Sequence, residues 1–103
     1  MSKLIYVCSP YRGDVQTNTR KARNYSRSIV DEGDIPIAPH LLFPQFMDDD
    51  VPSERRRAIE MNLEIMRHCD EVRVFGGPIT DGMREEIDSA ISQGIPVRVG
   101  DFK

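Results

Sequence analysis

The sequence predicts an α/β fold in which four parallel strands, in the order 2-1-3-4, are doubly wound by three helices. Three observations carry this. Lys3 to Cys8 is apolar at nearly every position, the pattern of a central strand covered on both faces. Short apolar runs then alternate with helical patterns, with turn residues between them. That βαβαβαβ alternation requires right-handed crossovers, which put helices on both faces of the sheet.

The elements follow in order. From Asp14 to Asp31, the residues Ala22, Tyr25, Ser26, Ile29 and Val30 recur at helical spacing, and Gly33 stands where a C-cap would. Ile35 to Ala38 is a short strand. Pro39 to Pro52 holds three prolines and the acidic run Asp48 to Asp50 without periodicity, so it reads as a long loop. Its apolar residues Leu41, Leu42, Phe43 and Phe46 suit a lid over a cleft. A helix from Ser53 to His68 carries the stripe Ile59, Leu63 and Met66. Glu71 to Phe75 is a strand broken by Gly76-Gly77-Pro78, Asp81 to Gln93 is a helix ending at Gly94, and Ile95 to Val99 is the last strand. The arrangement is flavodoxin-like. One domain over residues 1–103 is expected, because a chain of 103 residues buries one core but not two.

In this order the first helix alone covers one face. Glu71, Arg73 and Arg98 alternate with Val72, Val74, Val97 and Val99, so they are expected on an open side of the third and fourth strands, either solvated or in a subunit interface.

Composition narrows the function. A net charge of −3 disfavours binding to a phosphate backbone. No apolar run approaches the ~20 residues of a bilayer span. Met1-Ser2-Lys3 leads into an apolar stretch shorter than a secretory signal needs, and Cys8 with Cys69 makes no disulfide framework. The expectation is a cytoplasmic protein with reduced thiols that acts on a small molecule, with neither nucleic acid nor membrane as partner.

Ligands of open α/β sheets bind beyond the carboxyl ends of the strands, where strand order reverses. Here that point lies between the loops after the first and third strands. Ser9-Pro10-Tyr11-Arg12-Gly13 sets a hydroxyl, a phenol and a guanidinium beside a helix N-terminus, which suits an anion; the other reading is a set of polar turn residues. The loop has neither a GxGxxG nor a P-loop signature. In the second loop a helical wheel puts Met83, Ile87, Ala90 and Ile91 on the buried face, turns Glu85 away, and leaves Glu86 on the flank at the cleft edge. A carboxylate kept ionised by the helix dipole would serve as a nucleophile; a residue that only stabilises the helix end is the alternative. Asn62 lies among Ile59, Leu63 and Met66, so its amide needs partners in the protein or in a ligand. His40 follows the second strand at its carboxyl end, within reach of the cleft. Asp48 to Asp50 lacks spaced metal-ligand partners and reads as a solvated loop, and the adjacent His68 and Cys69 cannot both face one metal.

Three blocks carry a resemblance: Ile5-Tyr6-Val7-Cys8-Ser9-Pro10-Tyr11-Arg12-Gly13, Asn62-Leu63 through Cys69-Asp70, and Thr80-Asp81-Gly82-Met83-Arg84-Glu85-Glu86-Ile87-Asp88-Ser89-Ala90. With them the chain resembles the nucleoside 2-deoxyribosyltransferases, the deoxynucleoside-monophosphate N-glycosidases and their short phage and bacterial relatives. The third block is similar to the family's Ser-x-Gly-x-x-x-Glu-Leu-x-x-Ala pattern, and the family's nucleophile falls on Glu86. The resemblance implies phosphate or sugar contacts for Arg12, Ser9 and Thr80, and substrate contacts for Tyr11, His40, Gly82 and Met83, with Tyr11, Phe43 and Phe46 stacking on a base. It sets Asn62 where the family has an Asp that contacts base or sugar. An amide transfers no proton, so this departure bears on turnover. The family has a further helix after the last strand, and none is expected within residues 1–103. The implied activity is cleavage or transfer at the N-glycosidic bond of a nucleoside or nucleoside monophosphate through a covalent glycosyl intermediate. It requires no metal or redox cofactor, and it belongs to homo-oligomers whose subunits complete one another's sites. A non-catalytic nucleotide-binding or sensing module on the same fold is the competing reading.

Overall fold

A computed structural model describes residues 2–100. The strands are β1 (Leu4–Cys8), β2 (Ile35–Ile37), β3 (Glu71–Val74) and β4 (Val97–Val99), and the helices are α1 (Val15–Asp31), α2 (Pro52–Met66) and α3 (Asp81–Ser92). The sheet is parallel throughout, in the expected order β2-β1-β3-β4. It is a doubly wound, flavodoxin-like sheet. Between β2 and α2 the chain makes 3-10 turns at Pro39–Leu41 and Phe43–Gln45 in place of an unstructured loop.

β1 divides its side chains between two cores, as a central strand must. Ile5 and Val7 pack with Tyr25 and Ile29 of α1 and with Phe75, whose ring stacks on Tyr25 at 4.4 Å. Tyr6 and Cys8 point the other way, into a cluster with Met66 of α2, Met83 and Ala90 of α3, and Val72 and Val74 of β3. Helix ends follow local chemistry. Asp14 caps α1 by accepting from Thr17 N at 3.1 Å, and Thr80 caps α3 by accepting from Met83 N at 3.2 Å. Gly33 closes α1 with a φ of 93° that other residues rarely adopt.

The structure corrects three expectations about exposure. Val30 and Ile91 lie on the solvent side of their helices, Ile91 with 65 % exposure. The buried face of α3 is Met83, Glu86 and Ala90, so the glutamate sits inside the stripe and not on its flank. The polar side of β3 is not open. In the parallel register Glu71 lies beside Ile5 and Arg73 beside Val7, on the α1 side, and both are buried. They neutralise each other: Arg73 Nε donates to Glu71 Oε2 at 2.8 Å, and Arg73 Nη1 reaches Glu32, just past α1, at 3.1 Å. Arg98 of β4 stays exposed, 3.7 Å from Glu71. Two buried charges persist here because each has a partner; removing one would leave the other uncompensated. Among the described residues no helix is long and apolar enough to cross a membrane.

Candidate active site

A cavity of about 430 Å³ opens at the carboxyl ends of the strands, at the switch point between β1 and β3. All nine residues singled out from the sequence line it: Ser9, Tyr11, Arg12, His40, Asn62, Thr80, Gly82, Met83 and Glu86. Each comes from a different local cause. Ser9, Tyr11 and Arg12 leave β1 in a loop that Asn18 of α1 pins, its Nδ2 donating to Tyr11 O at 3.1 Å and to Arg12 O at 3.3 Å. His40 rides on the first 3-10 turn and stacks on Tyr11 with ring centroids 4.9 Å apart. Asn62 enters from α2, while Thr80, Gly82, Met83 and Glu86 come from the start and second turn of α3.

Glu86 is the chemically unusual group. Its side is buried, and Tyr6 Oη donates to Glu86 Oε2 at 2.5 Å. The Cys8 thiol has one proton and lies within reach of both Glu86 and Met83 O, the latter at 3.8 Å; the carboxylate is the stronger acceptor. Burial pushes the Glu86 carboxyl up from 4.5 to about 7, against the hydrogen bonds from Tyr6 and Cys8 that hold it down, and neighbouring Glu85 adds a further upward push. This reverses the expectation that a helix dipole keeps it fully ionised. Glu86 stands in the second turn, where the dipole has faded, and desolvation dominates. Burial also raises the Tyr6 phenol and the Cys8 thiol well above their usual ranges, so both remain protonated donors at neutral pH. His40 is lowered by burial and is therefore mainly neutral there.

Two further polar atoms mark the cavity. Ser9 Oγ and Asn62 Oδ1 are buried and have no hydrogen-bond partner among the described residues. Such atoms are uncommon, and a ligand that supplied a donor to each would remove the cost of burying them. Thr80 Oγ1, by contrast, is already engaged as the cap of α3.

The loop from residue 39 to 52 does pack at the cavity, but of its expected apolar residues only Phe43 lines it, and Leu41, Leu42 and Phe46 do not. Phe43, Pro44 and Met47 line it, whereas Phe46 is 67 % exposed and meets Phe43 edge-on from outside. The aspartate run is not simply solvated. Asp49 Oδ2 pairs with Arg12 Nε at 3.0 Å, and Asp48 and Asp49 both line the wall. Glu85, expected to face away, is exposed but also borders the cavity. In all, six carboxylates (Asp48, Asp49, Glu54, Asp81, Glu85 and Glu86) share the lining with two guanidiniums, Arg12 and Arg55. Sequence reasoning missed Tyr6, Cys8, Asn18, Asp49 and Arg55. A tyrosine inside an apolar strand, whose hydroxyl must find a partner, was the one available signal.

Residues 3–100 match the family described as Domain of unknown function (DUF7768). The chain belongs to that family. Comparison with curated proteins returns no match. Among solved structures, this DUF7768 chain is similar to a 2-deoxyribosyltransferase from the psychrotolerant bacterium Bacillus psychrosaccharolyticus, with a TM-score of 0.69 and 20 % identity over 97 % of this chain and 76 % of that one. At that identity the likeness establishes a shared fold.

Proposed function

We propose that this protein cleaves or transfers the N-glycosidic bond of a nucleoside or nucleoside monophosphate, with Glu86 as the nucleophile. The observation that carries the reading is a buried carboxyl, held by Tyr6, in a cavity that also holds two buried polar atoms without partners. The fold shared with a 2-deoxyribosyltransferase supports it. In the reaction Glu86 forms a bond to the anomeric carbon while the bond to the base nitrogen breaks and the base departs with the electron pair. Water or a second base then displaces Glu86 from the sugar. Asn62 can hydrogen-bond base or sugar but cannot protonate the leaving base, which takes its proton from another group or from water. Tyr11 and Phe43 supply rings for the base, and the loop beyond β2 excludes solvent.

The test is incubation with a panel of nucleosides and monophosphates, monitoring free base and the intact protein mass for a glycosyl adduct. Binding without release of base from any of them would favour the non-catalytic module, the reading that Asn62 supports.

The nucleophile must be ionised, so activity should rise with pH through an acid limb near the Glu86 value of about 7. Tyr6→Phe removes a hydrogen bond that stabilises the carboxylate, so the limb should move to higher pH while activity at alkaline pH is largely retained. A pH–rate profile that does not move would detach Tyr6 from the chemistry.

Self-association is part of the proposal. Among the described residues β4 is an edge strand bordered only by β3, with Arg98 exposed and Val99 84 % exposed, an edge that a second copy could cover. Light scattering at micromolar concentration should give a dimer or larger; a monomer mass would remove this element.

A further inference from the structure

We infer that Asp49 decides which form of the sugar the cavity accepts, excluding a dianionic 5′-phosphate in favour of the unphosphorylated nucleoside; this deepens, and rests on, the N-glycosidic reading above. Arg12 is the guanidinium that the β1 loop offers to an anion, beside the N-terminus of α1. It is already engaged. Its Nε lies 3.0 Å from Asp49 Oδ2, and its Nη2 lies 4.0 Å from Asp50 Oδ1. A 5′-phosphate reaching Arg12 must settle beside two carboxylates, whether it displaces Asp49 from Nε or uses the Nη groups.

The ion pair alone would not prevent this. Arg12 is about half exposed and such pairs are weak, so a phosphate could outcompete a single carboxylate for it. What opposes the phosphate is the negative charge that the fold holds around this guanidinium. Asp48 N donates to Glu54 Oε1 at 2.9 Å, and Asp50 N donates to Asp48 Oδ1 at 2.9 Å, so the aspartate run is folded back on α2 beside the cavity. The lining carries six carboxylates to two guanidiniums. The second guanidinium, Arg55, also opens onto a neighbouring groove whose charges, Asp49, Asp50 and Glu60 against Arg12 and Arg56, already balance it. An uncharged 5′-hydroxyl meets none of this opposition. It can donate to Asp49 and accept from Arg12 with the pair intact.

The test measures binding of one nucleoside and of its 5′-monophosphate by calorimetry to the wild type, to Asp49→Asn and to Asp49→Asn combined with Arg12→Gln. The wild type should prefer the nucleoside, and Asp49→Asn should shift the affinity ratio toward the monophosphate by roughly tenfold, less at high salt. The double variant should lose that gain, because the freed guanidinium is what captures the phosphate. A wild type that binds the monophosphate as tightly as the nucleoside overturns the inference, as does a ratio unmoved by Asp49→Asn or a gain that survives removal of Arg12. If the wild type binds neither ligand, the N-glycosidic reading falls and the role of Asp49 falls with it. Nucleoside binding with an unmoved ratio sinks only the role of Asp49.

Discussion

Glu86→Gln is expected to lower base release by roughly a thousandfold or more, because losing a nucleophile closes the covalent route altogether. Gln keeps an oxygen that can accept from Tyr6 Oη, so the local packing survives and the loss is chemical. Glu85→Gln is the matched control. Glu85 is exposed at the border of the cavity, and its charge helps hold the Glu86 proton in place. Its removal should move the acid limb of the pH–rate profile slightly downward and leave the alkaline plateau near that of the wild type. Rate measurements across pH 5 to 9 on both variants would separate the two glutamates. Retained base release in Glu86→Gln would put the non-catalytic module ahead.

The path from sequence to site shows what local pattern can carry. β1, the close of α1 at Gly33 and the strand order were all legible, because each follows from short-range rules: apolar runs, capping chemistry and the handedness of crossovers. The membership of the cavity was legible for the same reason, since the switch point of a parallel sheet gathers the loops after β1 and β3 whatever their composition. The charge state of Glu86 was not. It depends on Tyr6, eighty residues away in sequence, and on burial in the folded chain, neither of which a helical wheel of α3 contains. Likewise the Arg12–Asp49 pair joins two loops whose approach depends on the 3-10 turns after β2, and residues with little periodicity give no account of where they fold back. The burial of Glu71 and Arg73 escaped for a third reason. Alternation distinguishes the two sides of a strand, but whether the polar side is wet depends on Glu32 and the end of α1.

Glu86→Gln should also make the protein more stable, and the gain should depend on pH. In the folded chain the Glu86 carboxyl titrates at about 7 instead of its ordinary 4.5. Between those values the folded state holds a proton that the unfolded state has released, so the contribution of Glu86 to wild-type stability falls as pH rises from 4.5 to about 7 and is level above. At about 1.36 kcal/mol per pH unit, the accumulated cost of ionising this buried group is on the order of 3 kcal/mol. Gln carries no charge and escapes it. The variant should therefore match the wild type within about 1 kcal/mol near pH 4.5 and exceed it by about 3 kcal/mol at pH 8, which for a chain of this size corresponds to a Tm higher by roughly 10 °C or more. Thermal or urea unfolding of both proteins at the two pH values is the check. Equal stability at pH 8, or the same difference at both pH values, would show that Glu86 is not held as a desolvated carboxyl. The opposite signs of the two effects of one substitution, activity lost and stability gained, are what distinguish a buried reactive group from a structural one. A glutamate retained for the fold would cost stability when replaced, whereas one retained for chemistry is tolerated at the expense of the fold.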